Sequence, residues 1–278
     1  MTVDFFVPLV TYPEPTAEEG LVRLVDLAAT IGGRLSIEVR EADIPPVSNV
    51  LAEALLKVSQ LSREIEARSR ATGDTLETAI TRLAERRGIG TRIARIRSRT
   101  DAPLADTARA ARYHDASLMI LTEGALEQAA LAEAILFGSG GPIIVIPAAQ
   151  DVPSHLDVVA VAWDGSRAAA RALRDALPVL ALARSVQVVA IEDDKPIDRK
   201  GTAAVRSLLE FHGIAAAELQ ASRTGRPVGV ALQDAALEAG AGLLVMGGFG
   251  HNRLREFVLG GATRSALAAP RLPIFMSH

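Results

Sequence analysis

Residues 157–166 read DVVAVAWDGS, and this stretch decides the fold. Its apolar run, 157–163, is typical of a strand that is covered on both faces of a sheet. The polar turn Asp164-Gly165-Ser166 follows, and residues 167–183 have the Ala- and Leu-rich pattern of a helix. A strand that passes through a short turn into a helix predicts a βαβ unit with a parallel sheet.

The same order of elements occurs twice in the 278 residues. The matching segments are the apolar runs 4–10 and 157–163, the helical patterns 17–31 and 167–183, the second runs 34–39 and 185–191, the turns Asp101-Ala102-Pro103 and Gly225-Arg226-Pro227, the runs 117–122 and 242–247, and the closing runs 141–146 and 272–276. Each half therefore predicts about five strands. The expected fold class is α/β, with two tandem doubly wound five-stranded parallel-sheet domains.

The domain boundaries follow from this repeat. We expect a first domain at 1–147, a linker at 148–156, where the sequence is polar and contains Pro153, and a second domain at 157–278. The first domain is a degenerate copy of the second. The offset between the halves is 124 from Pro103 to Pro227 and 131 from Pro142 to Pro273. This change predicts that the first half lacks seven residues between its fourth and fifth strands.

A helical insertion is predicted at about 45–88. The first half carries about 27 extra residues there, which we interpret as two helices with Ser48 and Asp74 as N-caps and Gly88 as a C-cap. Apolar residues recur at helical spacing in its first part, at Leu51, Leu55, Val58, Leu61 and Ile65. A helix that covers the core is favoured over a partner-binding helix, because apolar stripes usually face a core.

Composition excludes several classes of function. The formal net charge is −3 and aromatic residues make up 4%, so neither nucleic acid nor an acidic membrane surface is an expected partner. The chain has no cysteine, which rules out disulfides and thiol catalysis. Its five histidines lack metal-ligand spacing, and no Gly-x-Ser-x-Gly motif occurs. There is no signal-peptide pattern and no apolar stretch of membrane-spanning length, and we expect a cytoplasmic protein.

Three elements of the second half are candidates for one ligand site. Asp164 follows the first strand, where a carboxylate can bind a ribose hydroxyl or reach a magnesium ion, although Asp-Gly-Ser is also a common turn with a helix N-cap. Gly247-Gly248-Phe249-Gly250 follows the fourth strand, where successive amides can form an anion-binding nest. Gly260-Gly261-Ala262-Thr263 opens a helix whose free amides favour a phosphate. Arg253 and Arg255 either bring charge to the phosphates or lie in an exposed loop.

These residues resemble the universal stress protein family. The spacing Gly247-x2-Gly250-x9-Gly260 looks like the nucleotide-binding signature of that family, in which a Ser or Thr follows the last glycine. The stretch VAVAWDGS resembles its first strand, Gly225-Arg226-Pro227 its Gly-x-Pro turn, and LLVMG its fourth strand. The resemblance covers 157–278 in order and implies a Rossmann-like fold of the adenine nucleotide alpha-hydrolase kind.

The resemblance also implies site residues and a ligand, which is ATP or AMP, with magnesium as a further expectation. Asp164 would contact the ribose or, indirectly, the metal. The other implied nucleotide-binding residues are Ile191 beside adenine, Met246 and Gly247 in the pocket, and Gly250, Arg253, Gly260, Gly261 and Thr263 at the phosphates. Gly261 stands where the family has Ser or Thr, so one hydroxyl contact worth about 1 kcal/mol is lost there. Thr263 is expected to replace it.

The first half is expected to be structural. Val10 or Thr11 stands where the second half has Asp164, and the predicted deletion removes the stretch that would hold the glycine motif. Gly138-Ser139-Gly140-Gly141 aligns after the helix, where it predicts a C-cap and turn. The resemblance implies that 142–147 and 273–277 pair antiparallel across a pseudo-twofold axis. The tandem chain would then be an intramolecular pseudo-dimer, with further homodimerisation as an additional expectation.

The predicted function is that of a universal stress protein that regulates a stress response through a bound adenine nucleotide and an unknown protein partner. Two alternatives stay open at this point. One is a slow adenine-nucleotide hydrolase, for which the sequence offers no residue to orient water. The other is an interaction module without a ligand. Fold alone does not separate them, because doubly wound sheets serve many functions.

Overall fold

The computed structural model describes residues 2–45, 58–100, 102, 104–149, 151, 155–192, 199–248 and 261–278. The strands are β1 (Val3–Val10), β2 (Gly33–Asp43), β3 (Thr91–Arg99), β4 (Ala116–Leu121), β5 (Ile143–Pro147), β6 (Val158–Ala162), β7 (Ser185–Ile191), β8 (Ala216–Ala221), β9 (Leu243–Gly247) and β10 (Ile274–Ser277). The helices are α1 (Leu21–Ile31), α2 (Val58–Arg87), α3 (Ala105–Ala111), α4 (Leu126–Gly138), α5 (Arg167–Leu180), α6 (Arg199–Phe211), α7 (Val228–Glu238) and α8 (Gly261–Ala268). A short 3-10 helix, Glu18–Gly20, precedes α1.

The ten strands of the described residues form one sheet in the order β3-β2-β1-β4-β5-β10-β9-β6-β7-β8. Neighbouring strands are parallel except at the centre, where β5 and β10 pair antiparallel with Ile144 opposite Phe275. The strand order of each half is therefore the mirror of the other about this seam. The α/β fold class and the antiparallel pairing of the two closing strands are both confirmed.

Helices cover both faces of the sheet, so its inner strands bury consecutive residues, whereas the outer strands β3 and β8 are largely exposed. Alternate residues of β4 show the division, because Leu118 packs in the layer under α1 and α5, and Met119 packs in the layer under α4 and α7. Both side chains are at most 2% exposed. The consecutive apolar runs of the sequence predicted this double coverage correctly.

Helix α2 corrects one detail of the insertion. The predicted break at Asp74 is wrong, because α2 is continuous from Val58 to Arg87. The Asp74 carboxylate does not cap a new helix; it accepts a hydrogen bond from Arg95 of β3 at 2.7 Å. The helix ends as predicted at Gly88, whose φ of +68° fits a glycine C-cap. Ser48, Leu51 and Leu55 lie outside the described residues.

The register of the fourth strands differs from the predicted one. Phe5 of β1 pairs with Ala116, and Val159 at the equivalent place in β6 pairs with Leu243, so the offset is 127 and not 124. The predicted offset would align Met119 with Leu243, which face opposite layers of the sheet. The closing strands keep the offset of 131. The first half therefore lacks four residues between its fourth and fifth strands, and not seven.

Among the residues that the structure describes, no helix is both long and apolar enough to cross a membrane.

Candidate functional site

The strand order of the second half reverses between β9 and β6. In open α/β sheets, ligands bind in the crevice beyond the carboxyl ends of the strands at such a reversal. Asp164 follows β6 and Gly247 ends β9, so the fold brings these two predicted residues to the crevice. Gly250, Arg253 and Gly260 lie outside the described residues. Their predicted role at the phosphates stays a prediction.

Asp164 lies in an exposed turn that starts helix α5. Its Oδ1 accepts a hydrogen bond from the Ser166 amide at 3.0 Å, and Gly165 between them has a φ of +74°. The Ser166 hydroxyl accepts the Ala169 amide at 3.1 Å and so caps α5. The turn-and-cap role of Asp-Gly-Ser is therefore present. The same turn leaves the Asp164 carboxylate exposed to solvent at the carboxyl ends of the parallel strands.

Ile191 and Met246 are part of the packed interior. Both belong to the apolar layer between the sheet and helices α4, α7 and α8, and they are 9% and 2% exposed. Ile191 ends β7, and Met246 lies next to the end of β9. Their side chains therefore form part of the apolar layer at the carboxyl ends of β7 and β9.

The two glycines after Met246 have packing roles that the sequence reasoning missed. A Cβ on Gly247 would lie 2.5 Å from the Ala168 carbonyl carbon, so only glycine lets the first turn of α5 pack this closely. The Gly248 amide donates to the Ser277 carbonyl of β10 at 2.7 Å. The Gly248 carbonyl in turn accepts a hydrogen bond from Nδ1 of His278 at 2.8 Å. The Gly248 amide is thus already bonded within the protein, and Phe249 and Gly250 of the predicted anion-binding nest lie outside the described residues.

Helix α8 begins at Gly261, which is exposed, and within the described part of the chain no atom outside its own helix turn or its chain neighbours lies within 4 Å of a Cβ built there. Thr263 is 0% exposed and faces the protein interior. The backbone of the first turn, and not the Thr263 hydroxyl, is the group at the surface.

The carboxyl ends of the strands in the first half also contain a carboxylate, which the sequence reasoning missed. The connection from β1 to α1 spans residues 11–20, whereas residues 163–166 suffice between β6 and α5. This longer connection places Glu14 at the start of α4, where its Oε2 accepts the amides of Glu127 at 3.0 Å and Gln128 at 3.3 Å. An acidic residue between Pro13 and Pro15 is the only signal of this in the sequence.

A cavity of about 350 Å³ adjoins Glu14 at the carboxyl ends of β1, β2 and β3. Its lining includes Val10, Tyr12, Arg40, Ser98, Thr100 and Leu131. Leu35 and Val186 occupy equivalent places in β2 and β7, so Arg40 is the counterpart of Ile191. Arg40 donates to Glu38 at 2.9 Å and to Ser98 at 3.2 Å. The two halves thus differ in charge at the same place in the fold.

One acidic side chain near the β5–β10 seam has a shifted pKa. Burial raises the pKa of Glu133 on α4, although the nearby Arg264 of α8 acts in the opposite direction. Among the described residues, no group of three or more His, Asp or Glu side chains is arranged to hold a metal ion.

Comparison with known proteins gave matches among solved structures alone. No family model and no curated protein matches the chain. A universal stress protein from Archaeoglobus fulgidus DSM 4304 is similar over 98% of this chain and 95% of its own, with a TM-score of 0.68 and 17% identity. A putative universal stress protein from Pseudomonas aeruginosa UCBPP-PA14 matches 98% of this chain and 92% of its own, with a TM-score of 0.52 and 15% identity.

A third structure, of a protein of unknown function from Pseudomonas aeruginosa PAO1, covers 98% of this chain and 92% of its own, with a TM-score of 0.54 and 14% identity. At these identities the similarity concerns the fold. Over nearly its whole length, the chain has the fold of the universal stress proteins.

Proposed function

We propose that the chain is a universal stress protein that binds an adenine nucleotide, ATP or AMP, in its second half and acts as a nucleotide-dependent regulator of a stress response. The observation that carries the proposal is the meeting of Asp164 and the end of β9 at the reversal of strand order. A dinucleotide or mononucleotide fold places its ligand at this point. The first domain, 1–147, would support the second, 157–278, across the β5–β10 seam.

The described residues suit separate parts of a nucleotide. The exposed Asp164 carboxylate can accept a hydrogen bond from a ribose hydroxyl, or approach a magnesium ion held by the phosphates. Ile191 and Met246 are buried, so the base would lie on the apolar layer that they help to form rather than in contact with exposed side chains. The phosphates would lie at the start of α8, where amides and the helix dipole favour negative charge. Because Thr263 is buried, we assign phosphate binding there to the backbone near Gly261, together with Gly250, Arg253 and Gly260.

The proposal is tested by titration calorimetry of ATP and AMP into the whole chain, with and without magnesium. We expect one nucleotide per chain. Asp164→Ala should weaken binding about tenfold or more, because a hydrogen bond to a charged acceptor is worth about 1.5–3 kcal/mol. Asp157→Ala is the matched control. Asp157 is an exposed carboxylate at the other end of the same strand, directly before β6, and it pairs with Arg184. It should leave nucleotide affinity unchanged.

The same samples distinguish the other readings of the sequence. Release of phosphate that depends on Asp164 would show a slow hydrolase. No heat of binding with either nucleotide at millimolar concentration would contradict the proposal and favour an interaction module. A protein partner and a homodimer both remain proposals, which co-purification and sedimentation of the nucleotide-bound and nucleotide-free chain would test.

A further inference from the structure

The start of helix α4 is the first-half counterpart of the start of α8. Helix α4 follows β4 and precedes β5, as α8 follows β9 and precedes β10. The first amides of such a helix have no partner within the helix and attract an anion. In the first half two of them, at Glu127 and Gln128, are occupied by the Glu14 carboxylate.

Glu14 is held in place by more than its own side chain. Gln128 is 3% exposed, and its amide nitrogen donates to the backbone carbonyls of Pro15 at 3.1 Å and Glu14 at 3.3 Å. The Gln128 side-chain oxygen accepts the Thr122 amide at 2.8 Å, which ties the end of β4 to the same network. The contacts of Gln128 with Glu14 and Pro15 join positions 114 and 113 residues apart in the sequence, and they fix the carboxylate against the helix.

The cavity of about 350 Å³ opens beside this carboxylate at the ends of β1, β2 and β3. It is large enough for a small organic molecule. A phosphate group that reached the start of α4 would meet a carboxylate already bonded to the amides that it needs. It would also meet like-charge repulsion from that carboxylate.

We propose that Glu14 is an intramolecular ligand of an anion site at the start of α4, and that it restricts the first-half cavity to ligands without a phosphate group. The site is chemically a phosphate site whose occupant belongs to the chain itself. Because Glu14 is tethered, a free anion has to compete with an effective concentration of about millimolar or more. The first half then keeps one constant state while the second half is free to respond. The proposal does not rest on nucleotide binding in the second half.

The test is removal of the tethered anion with Glu14→Ala in the full chain. The melting temperature of wild type and variant is measured in phosphate buffer and in a phosphate-free buffer of equal pH and ionic strength. Inorganic phosphate should raise the melting temperature of the variant by about 2–4 °C more than that of the wild type, since it occupies the vacated amides. If the variant folds only in phosphate buffer, that rescue also supports the proposal.

A calorimetric titration with AMP gives an independent readout. Glu14→Ala should bind one more AMP per chain than the wild type. If the second half binds nucleotide, the variant should bind two AMP per chain and the wild type one. If the second half does not, the variant should bind one AMP and the wild type none. Failure of either proposal is therefore recognised separately. Glu19→Ala removes an exposed carboxylate from the same connection and should gain neither phosphate response nor AMP.

Glu14→Gln keeps the length of the side chain and one acceptor oxygen, so the amides stay occupied. Its phosphate response should match that of the wild type. The inference is overturned if Glu14→Ala gains no AMP site and shows no phosphate-dependent rise, if it fails to fold in both buffers, or if Glu19→Ala responds to the same extent.

Discussion

The Ser265 hydroxyl oxygen lies 3.1 Å from the Gly229 amide nitrogen and accepts its hydrogen. The same hydroxyl donates within its own helix, where the Gly261 carbonyl is 2.7 Å away. One serine therefore joins the first turn of α7 to the first turn of α8. This contact fixes the position of the helix start at which we propose that phosphates bind.

Gly229→Ala should destabilise the chain by about 2 kcal/mol, because overpacked sites lose about 1–3 kcal/mol. A Cβ at Gly229 would overlap the Ala262 carbonyl oxygen and lie 2.7 Å from the Ala266 amide nitrogen, and both are backbone atoms that cannot rotate away. Denaturant unfolding measures the loss. Gly90→Ala is the control, since the nearest atom to its Cβ is 4.0 Å away, and it should change the free energy of unfolding little. Equal effects of the two substitutions would contradict this account.

The parts of the fold that the sequence predicted correctly depend on local patterns. Apolar residues on consecutive positions are required wherever both faces of a strand are covered, so the runs ending near Val10 and Ala162 were visible. The predicted helix break at Asp74 is wrong because it also depends on a local pattern. Aspartate often caps helices, but here its carboxylate reaches Arg95 on another strand, and only the tertiary contact decides between the two roles.

The register error and the missed carboxylate have the same physical origin. The prediction equates Pro103 with Pro227, yet the helices that come next in the chain differ in length, α3 with 7 residues and α7 with 11. Sheet pairing, which fixes the register, is not local. Likewise the contact from Glu14 to Glu127 joins residues 113 positions apart. A single sequence does not indicate which helix start a loop carboxylate reaches.

Ser69→Ala should lower the free energy of unfolding by about 1–3 kcal/mol, the penalty for an unsatisfied buried group. Ser69 is 2% exposed on α2, and its hydroxyl accepts the Ala42 amide at 2.8 Å. It also bonds to the Thr11 hydroxyl at 2.6 Å, and since Thr11 donates to the Arg40 carbonyl, Ser69 is the donor of that contact. Thr75→Ala, at an exposed position of the same helix, should be nearly neutral in the same unfolding experiment. A neutral Ser69→Ala would show that the network adds nothing to stability.

Asp4 should stabilise the folded protein at neutral pH and lose this effect in acid. Burial raises the pKa of Asp4, but hydrogen bonds from Arg34, Ser36 and His114 outweigh burial and lower the pKa to about 2, from 3.8. A carboxyl whose pKa is lowered on folding stabilises the protein above its unfolded pKa and loses that effect as the pH falls towards the folded pKa. Asp4→Asn should therefore reduce stability at neutral pH by about 1 kcal/mol after allowance for solvent screening.

The difference in free energy of unfolding between wild type and Asp4→Asn should shrink between about pH 4 and pH 2. Urea unfolding at a series of pH values measures this difference. Ser36→Ala removes one donor, at 2.8 Å from Oδ1, and should reproduce part of the effect by raising the pKa of Asp4. A difference that stays constant down to pH 2 would contradict the assignment.

Ser166→Ala should separate stability from ligand binding at the turn after β6. The substitution removes the hydroxyl that accepts the Ala169 amide, and loss of an N-cap typically reduces stability by about 1 kcal/mol. The Ser166 amide that donates to Asp164 belongs to the backbone and is retained, so the carboxylate should keep its place. Unfolding experiments should therefore show a loss of stability, while titration calorimetry should show nucleotide affinity within about twofold of wild type, unlike Asp164→Ala. Ser166→Asp retains a capping oxygen and should recover most of the stability. A large loss of affinity in Ser166→Ala would mean that the hydroxyl itself contacts the ligand, and the assignment of this turn would have to change.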